Sequence, residues 1–201
     1  MSMMKVKSRL VAFAIASFMF SVVKAEEESD HLKLKAASTP HENALIRSAI
    51  NCSPKEALEA LSAGANPDVL TWPRGWTVLE PAIRGGCLEV VDLLIEHGAD
   101  VHLIDSFGRS YLHIATWPGT ERTAQIVGSL LRAGADPNVI LCQTGRLRQI
   151  TALDNARLLR NVVSRKVSDA TVAVLVSHGA KSAKDGEVQA DCSDPRQDKP
   201  N

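Results

Sequence analysis

The residues of this 201-residue chain that could support chemistry are its six histidines and four cysteines. The cysteines are Cys52, Cys87, Cys142 and Cys192. They form no Cys-x-x-Cys motif and lie near no pair of histidines, so their spacing does not indicate a zinc site. The histidines lack an Asp, Cys or Ser partner at the spacing of a catalytic triad, and the chain has no glycine-rich phosphate loop or paired-carboxylate motif. The sequence therefore predicts a protein that is not an enzyme and that needs no metal or cofactor.

The charge distribution argues against nucleic-acid binding. Basic and acidic residues balance at 23 each, but four of the basic residues fall within residues 1–25, where no acid occurs. The remaining chain has 19 basic and 23 acidic residues, whereas general nucleic-acid binding needs enough Lys and Arg to displace phosphate counterions. With 45% hydrophobic residues, the composition fits one soluble domain and excludes a polytopic membrane protein and a multidomain enzyme.

The N-terminal segment has the pattern of a signal peptide over residues 1–25. Three basic residues within 1–9 precede an uncharged apolar run at 10–23 (LVAFAIASFMFSVV). Val23 and Ala25 supply the small residues expected before a cleavage site. A membrane anchor would need about 20 apolar residues, and Lys24 ends the run before that length. We expect export across the inner membrane to the periplasm, and no membrane attachment after cleavage.

A Gly-Ala pair occurs four times in the remaining chain, at Gly64, Gly98, Gly134 and Gly179. The glycines are spaced by 34, 36 and 45 residues. Each pair follows a segment whose apolar residues recur three and four positions apart, which is the pattern of an amphipathic helix. Glycine is favoured after a helix because it adopts a positive φ without steric cost. The spacing therefore predicts four short helices, each ending at one of these glycines.

A second motif precedes three of these helices. Its copies begin at Thr77 (TVLEPA), Ser110 (SYLHIA) and Thr151 (TALDNA). Together with the Gly-Ala pairs, they resemble the ankyrin repeat signature T-P-L-H-x-A, which belongs to a unit of about 33 residues with a β-turn and two antiparallel helices. The resemblance implies an all-α solenoid of about four helix-turn-helix repeats with β-hairpin fingers.

The resemblance also predicts the domain limits. A flexible leader at 26–40 precedes an ankyrin-repeat domain at 41–181, and a disordered tail follows at 182–201. The repeats lie at about 41–70, 74–104, 105–140 and 147–181. The first repeat lacks the T-P-L-H motif, which indicates a capping repeat with its outer side facing water. The connection between Asp136 and Gln149 is long, so we expect the finger there to protrude.

Ankyrin-repeat domains mostly bind proteins through a concave side that is made of the finger tips and the faces of the first helices. The resemblance therefore implies that this chain is a monomer that binds another protein. The candidate partner-binding residues are Trp72, Arg74, Trp76, Ser106, Phe107, Arg109, Arg146 and Arg148. Trp and Arg often anchor interfaces because a large flat group can be fully desolvated against a partner. For Trp76 the alternative is that its ring packs against the base of its own finger.

Two biological roles remain open from the resemblance to small exported bacterial ankyrin-repeat proteins. One role is that of an immunity protein that neutralises a toxic effector in the periplasm. The other is that of a support factor for a periplasmic peroxide-defence enzyme. Basic residues are concentrated in the last repeat, which indicates either an acidic partner or a solvated face.

Two further expectations concern residues inside the repeats. His113 occupies the histidine position of the T-P-L-H motif, where the family's histidine bonds backbone groups between repeats. Cys52 and Cys87 fall in the turns between the two helices of adjacent repeats and are the candidate disulfide pair. Stacked helices lie about 8 to 10 Å apart, whereas the Cα atoms of a disulfide are about 4.4 to 6.8 Å apart. A bridge therefore requires the two turns to bend toward each other.

Overall fold

The computed structural model describes residues 39–71, 76–105, 108–117, 119–143, 148–159 and 165–183. Within these ranges the chain forms eight helices and two short antiparallel hairpins. They are α1 (Pro40–Asn51), α2 (Pro54–Ser62), β1 (Leu70–Thr71), β2 (Trp76–Thr77), α3 (Leu79–Gly85), α4 (Leu88–Glu96), α5 (Tyr111–Thr116), α6 (Thr123–Arg132), β3 (Leu141–Gln143), β4 (Arg148–Ile150), α7 (Ala152–Leu158) and α8 (Arg165–Ser177). No helix of these ranges has both the length and the apolar character needed to span a bilayer.

The helices form four consecutive pairs, and each pair stacks on the next. The first helices α1, α3, α5 and α7 contact one another in that order, and the second helices α2, α4, α6 and α8 do the same. One leucine of each first helix lies in the interface between pairs, and the four leucines are almost completely buried: Leu45, Leu79, Leu112 and Leu153. Buried alanines three or four positions later allow the helices to approach closely. The predicted all-α solenoid with four helix pairs is therefore confirmed.

The second helices end where the Gly-Ala pairs predict. The glycine of each pair has a φ between 78° and 97°. The alanine that follows returns its N–H to the helix, as at Ala65, which donates to the carbonyl of Ala60 at 3.0 Å. Such a bond satisfies a carbonyl that the helix end would otherwise leave without a partner. The alanine is also buried in every copy, so one dipeptide both ends the helix and packs the core.

Hydrogen bonds made by polar side chains join neighbouring repeats inside the stack. The hydroxyl groups of Thr77 and Tyr111 lie 2.6 Å apart. His113 Nε2 lies 2.9 Å from the carbonyl oxygen of Ile150 in the next repeat, which confirms the expected inter-repeat role of this histidine. Among the described residues, every buried side-chain nitrogen or oxygen has a hydrogen-bond partner. The interfaces between repeats are therefore specified by polar contacts as well as by apolar packing.

A disulfide joins the first two repeats at Cys52 and Cys87, with their Cα atoms 5.0 Å apart. The separation between the helix axes does not limit this bridge, because both cysteines lie in turns. Cys52 follows α1 in the left-handed conformation with φ 53°, and Cys87 immediately precedes α4. Gly85 leaves space for the sulfur atoms, since a Cβ there would lie 2.8 Å from the Cys87 Sγ and 3.4 Å from the Cys52 Sγ.

The last repeat is closed by a buried carboxylate. Asp154 is 1% exposed and accepts hydrogen bonds from the Thr151 N–H at 3.2 Å, the Ser182 hydroxyl at 2.6 Å and the Ala183 N–H at 2.9 Å. Burial alone would raise the pKa of Asp154, but the bonds from Ser182, Thr151 and Ala183 together hold it below its usual value. These bonds hold Ser182 and Ala183, the first two residues of the expected tail, against the last repeat.

We expect the Cys52→Ser, Cys87→Ser double variant to lower the free energy of unfolding by about 3 to 4 kcal/mol, because the disulfide restricts the unfolded chain across a separation of 35 residues. Urea denaturation followed by circular dichroism measures this change. Reducing the wild-type protein should have the same effect, and reducing the double variant should have none. Equal stability of the oxidised and reduced wild type would contradict the prediction.

Asp154 should make stability depend on pH in the acidic range. Its pKa is lowered in the folded state, so its stabilisation is complete above the unfolded-state pKa near about 3.9 and is lost as the pH falls below it. We expect Asp154→Asn to lower the free energy of unfolding by about 1 to 3 kcal/mol at neutral pH. The variant should also make the urea midpoint depend less on pH between about pH 5 and pH 3. The exposed Glu56→Gln serves as the control and should retain the wild-type profile.

Candidate protein-binding surface

The fingers are the hairpins that connect each second helix to the following first helix. In the first finger, β1 and β2 pair antiparallel, with Leu70 opposite Thr77 and Thr71 opposite Trp76. The Thr71 hydroxyl donates to the carbonyl of Trp76 at 2.9 Å. Because β2 is followed almost immediately by α3, the first helix fixes the direction in which this finger leaves the stack.

The second and third fingers differ in length. The second finger has one β-bridge among its described residues, between Ile104 and Ser110, and the Asp105 N–H donates to the Arg109 carbonyl at 3.0 Å. In the third finger, β3 and β4 form three residue pairs, from Leu141 with Ile150 to Gln143 with Arg148. The third finger is therefore the longest paired hairpin of the described residues, in agreement with the long connection in the sequence.

Trp76 and Arg109 join the first two fingers. The Trp76 ring is 9% exposed, and the Arg109 guanidinium lies over it at 5.2 Å from the ring centroid. The same guanidinium donates to Asp105 Oδ2 through Nε at 2.8 Å, while the Arg109 N–H donates to Asp105 Oδ1 at 2.6 Å. Cation–π and ion-pair contacts thus converge on one arginine. These contacts join the second finger to the first.

The other sequence-predicted binding residues lie largely outside the described residues. These are Trp72, Arg74, Ser106, Phe107 and Arg146, and of Arg148 only the backbone in β4 is described. Of the candidate partner-binding residues, the structure therefore shows Trp76 and Arg109 in contact with each other. A direct contact of any of these eight residues with a partner stays a prediction.

Exposed apolar side chains reveal surface residues that the sequence analysis missed. Three of them lie on the described parts of the fingers: Leu70, Leu103 and Ile104. Three more belong to the ends of first helices: Ile50, Trp117 and Leu158. The three first-helix residues could have been found in the sequence, because each lies five positions after the buried leucine of its repeat. This spacing becomes visible only when the repeats are aligned with one another. Neighbouring exposed apolar groups of this kind are typical of protein-binding surfaces.

Two buried ionisable side chains of α5, His113 and Tyr111, form contacts between repeats. Burial lowers the pKa of His113 and raises the pKa of Tyr111 to about 12. Both ring nitrogens of His113 are engaged, Nδ1 with the Ser110 hydroxyl at 2.9 Å and Nε2 with the Ile150 carbonyl. Both side chains are therefore neutral near pH 7 and are committed to contacts between repeats. In the described ranges, no three side chains of His, Cys, Asp or Glu converge as a metal site would require.

Comparison with known proteins points to one repeat family. A family model described as ankyrin repeats matches residues 42–140 in three copies. The Notch-regulated ankyrin repeat-containing protein of Xenopus tropicalis is 32% identical over 91 residues, which cover 43% of this chain and 80% of the frog protein.

Two other relatives match shorter segments. The putative ankyrin repeat protein YahD of Escherichia coli K12 is 44% identical over 66 residues, which cover 30% of this chain and 31% of YahD. Protein phosphatase 1 regulatory subunit 27 of Homo sapiens is 42% identical over 64 residues, which cover 32% of this chain and 40% of the human protein. The chain thus spans less than half the length of these two relatives.

We expect Arg109→Ala to lower the free energy of unfolding by about 1 to 3 kcal/mol, because it leaves the nearly buried Asp105 carboxylate without its guanidinium partner. Arg109→Lys should recover only part of this loss, since an ammonium group cannot form the planar fork. Thermal and urea unfolding measure both variants. If Arg109→Ala keeps wild-type stability, the guanidinium does not hold the fingers together.

Proposed function

The chain belongs to the ankyrin-repeat family, and we propose that it is a non-catalytic module that binds a partner protein in an extracytoplasmic compartment. The three relatives described above are named as regulatory or ankyrin-repeat proteins, and repeats of this family suggest a protein-protein interaction module. The proposed contact surface consists of the finger tips together with the exposed faces of the first helices.

The exposed apolar residues of the fingers carry this proposal. Leu70, Leu103 and Ile104 are each between 41% and 53% exposed, although they stand on consecutive fingers of an otherwise well-packed stack. Covering such side chains with a partner removes apolar surface from water, at roughly 25 cal/mol per Å². The Trp76–Arg109 contact restrains the described bases of the first two fingers, which reduces the conformational entropy that these bases lose on binding.

Two observations support the extracytoplasmic location. The N-terminal 25 residues have the charge and hydropathy pattern of an export signal. The disulfide between Cys52 and Cys87 is of a kind that persists in oxidising compartments such as the periplasm and is rare in the cytosol. Both features favour a protein that folds after export.

The partner's activity separates the two roles that the sequence leaves open. An immunity or inhibitor protein should cover the active site of a toxic effector and bind it very tightly. A support factor for a peroxide-defence enzyme should bind its partner with the active site open. The name of the human relative, a phosphatase regulatory subunit, gives a precedent for a protein of similar sequence that acts through an enzyme. In either role the chain itself performs no reaction.

A pull-down from the extracytoplasmic fraction of the native host tests the proposed function. The wild-type protein should enrich one partner, and a Trp72→Ala, Phe107→Ala variant should lose it because its finger anchors are missing. The matched control is Leu58→Ala, Val176→Ala, which removes exposed apolar side chains from second helices and should retain the partner. Assays of the partner with and without the protein then distinguish inhibition from support.

The thermal midpoints of both variants should match that of the wild type, so that loss of binding reports a lost contact. A partner that the finger variant retains in full, or that the control variant loses, would contradict binding through the fingers.

A further inference from the structure

The residue five positions after the buried leucine is exposed in each repeat, within the first helix or directly after it. Leu45, Leu79, Leu112 and Leu153 are followed at this distance by Ile50, Arg84, Trp117 and Leu158. We refer to these four exposed residues as the first-helix row. Five residues at about 100° each rotate a side chain by about 140° away from the starting residue. The row therefore faces away from the core that the leucines occupy.

The row crosses the whole stack. Because consecutive first helices contact one another, equivalent positions on them are neighbours, and each repeat contributes one member. Trp117 is 66% exposed, Ile50 62% and Leu158 43%. Three of the four members are thus large apolar groups in water, including a tryptophan, the residue type most enriched at binding hot spots. The first-helix row therefore offers a partner several apolar contact points along the stack.

The exposed charged side chains on the first helices beside the row are arginines, whereas Glu121 is an exposed acid in the turn that follows Trp117. Arg47 is exposed one helical turn before Ile50, and Arg157 is exposed beside Leu158. The acidic groups of the same helices each accept a hydrogen bond or form an ion pair. The Glu42 carboxylate accepts from the Thr39 N–H at 2.7 Å, Glu80 pairs with Arg84, and Asp154 is buried against Ser182 and Ala183. The second helices α2 and α4 instead expose Glu56 and Glu96, together with Glu59 and Glu89, which pair with Lys55 and Arg122. An acidic partner is therefore attracted more strongly to the first helices than to α2 and α4.

The spacing of the row selects the backbone conformation of the partner. Stacked helices lie about 8 to 10 Å apart. In an α-helix, residues seven apart lie on the same face and are separated by about 10.5 Å. In an extended strand, residues three apart lie about 10 Å apart but point to opposite faces. Only the helical segment can present one side chain to every repeat from a single face.

We propose that the first-helix row binds an acidic amphipathic helix of a partner protein. This helix crosses the four first helices with side chains seven positions apart, which are apolar opposite Ile50, Trp117 and Leu158 and acidic opposite Arg84. This inference rests on the proposed function, since it names the chemistry of the partner at that same concave side. Three intervals of about 10 Å require a helix of about 20 residues at 1.5 Å per residue.

A displayed library of random 20-residue peptides, selected against the full-length protein, tests the proposal. The selected peptides should carry net negative charge and apolar residues seven positions apart, and circular dichroism should show that they become helical on binding. Fluorescence anisotropy should show weaker binding as salt is added. It should also show at least a tenfold higher Kd for Trp117→Ala and a several-fold higher Kd for Leu158→Ala.

Matched variants make the outcome decisive. Leu58→Ala and Val176→Ala remove side chains of similar exposure from second helices and should change the Kd by less than twofold. Arg47→Glu should weaken binding by charge reversal. The proposal is overturned if no peptide is selected, if the selected peptides are basic or extended, or if Trp117→Ala binds them as the wild type does. The pull-down with the Trp72→Ala, Phe107→Ala variant is independent of this result, so the row can fail while binding through the fingers stands.

Discussion

The stacking of one helix pair on the next is the interaction on which the rest of this structure depends. A single pair cannot bury its own apolar face, and its stability comes from the neighbour that covers that face. This requirement explains why Leu79, Leu112 and Leu153 recur in register and why alanines follow them. It also explains the inter-repeat hydrogen bonds, since Tyr111 and His113 are buried between repeats and need partners there. The side chains that are not buried between helix pairs form the surface that is available for binding.

The two ends of the stack meet the same requirement in different ways. The first repeat buries Ala49, Ala57 and Ala60 together with Leu45 and Leu61. The disulfide adds a covalent link between this repeat and the next. The last repeat instead binds the backbone that follows α8 through the carboxylate of Asp154, which stands where the third repeat has His113. A histidine that donates to the next repeat suits an internal position, whereas a carboxylate suits a position whose neighbours are N–H and hydroxyl donors.

The sequence predicts the local and repeating features of this protein well and its single contacts poorly. The helix ends at the Gly-Ala pairs and the role of His113 follow from motifs that each repeat carries. The geometry of the Cys52–Cys87 bridge depends on the left-handed conformation of Cys52, which helix spacing does not reveal. The contacts of Asp154 with Ser182 and Ala183 join residues about 28 positions apart and leave no pattern in the sequence. The first-helix row was missed because an exposed Trp117 and a buried Leu112 look alike until the core is known.

The disulfide restricts which residue can occupy position 85, so related sequences should show this restriction. Its backbone lies within α3 and requires no positive φ, so the space taken by the two sulfur atoms is what excludes a side chain there. If either cysteine is lost in a related sequence, position 85 no longer needs to be glycine. Alanine is then favoured over glycine there, because alanine is the better helix former. A lineage that gains a side chain at position 85 first would have to shift both turns to keep the bridge. The three positions should therefore change together across relatives, with glycine at 85 found wherever both cysteines are kept.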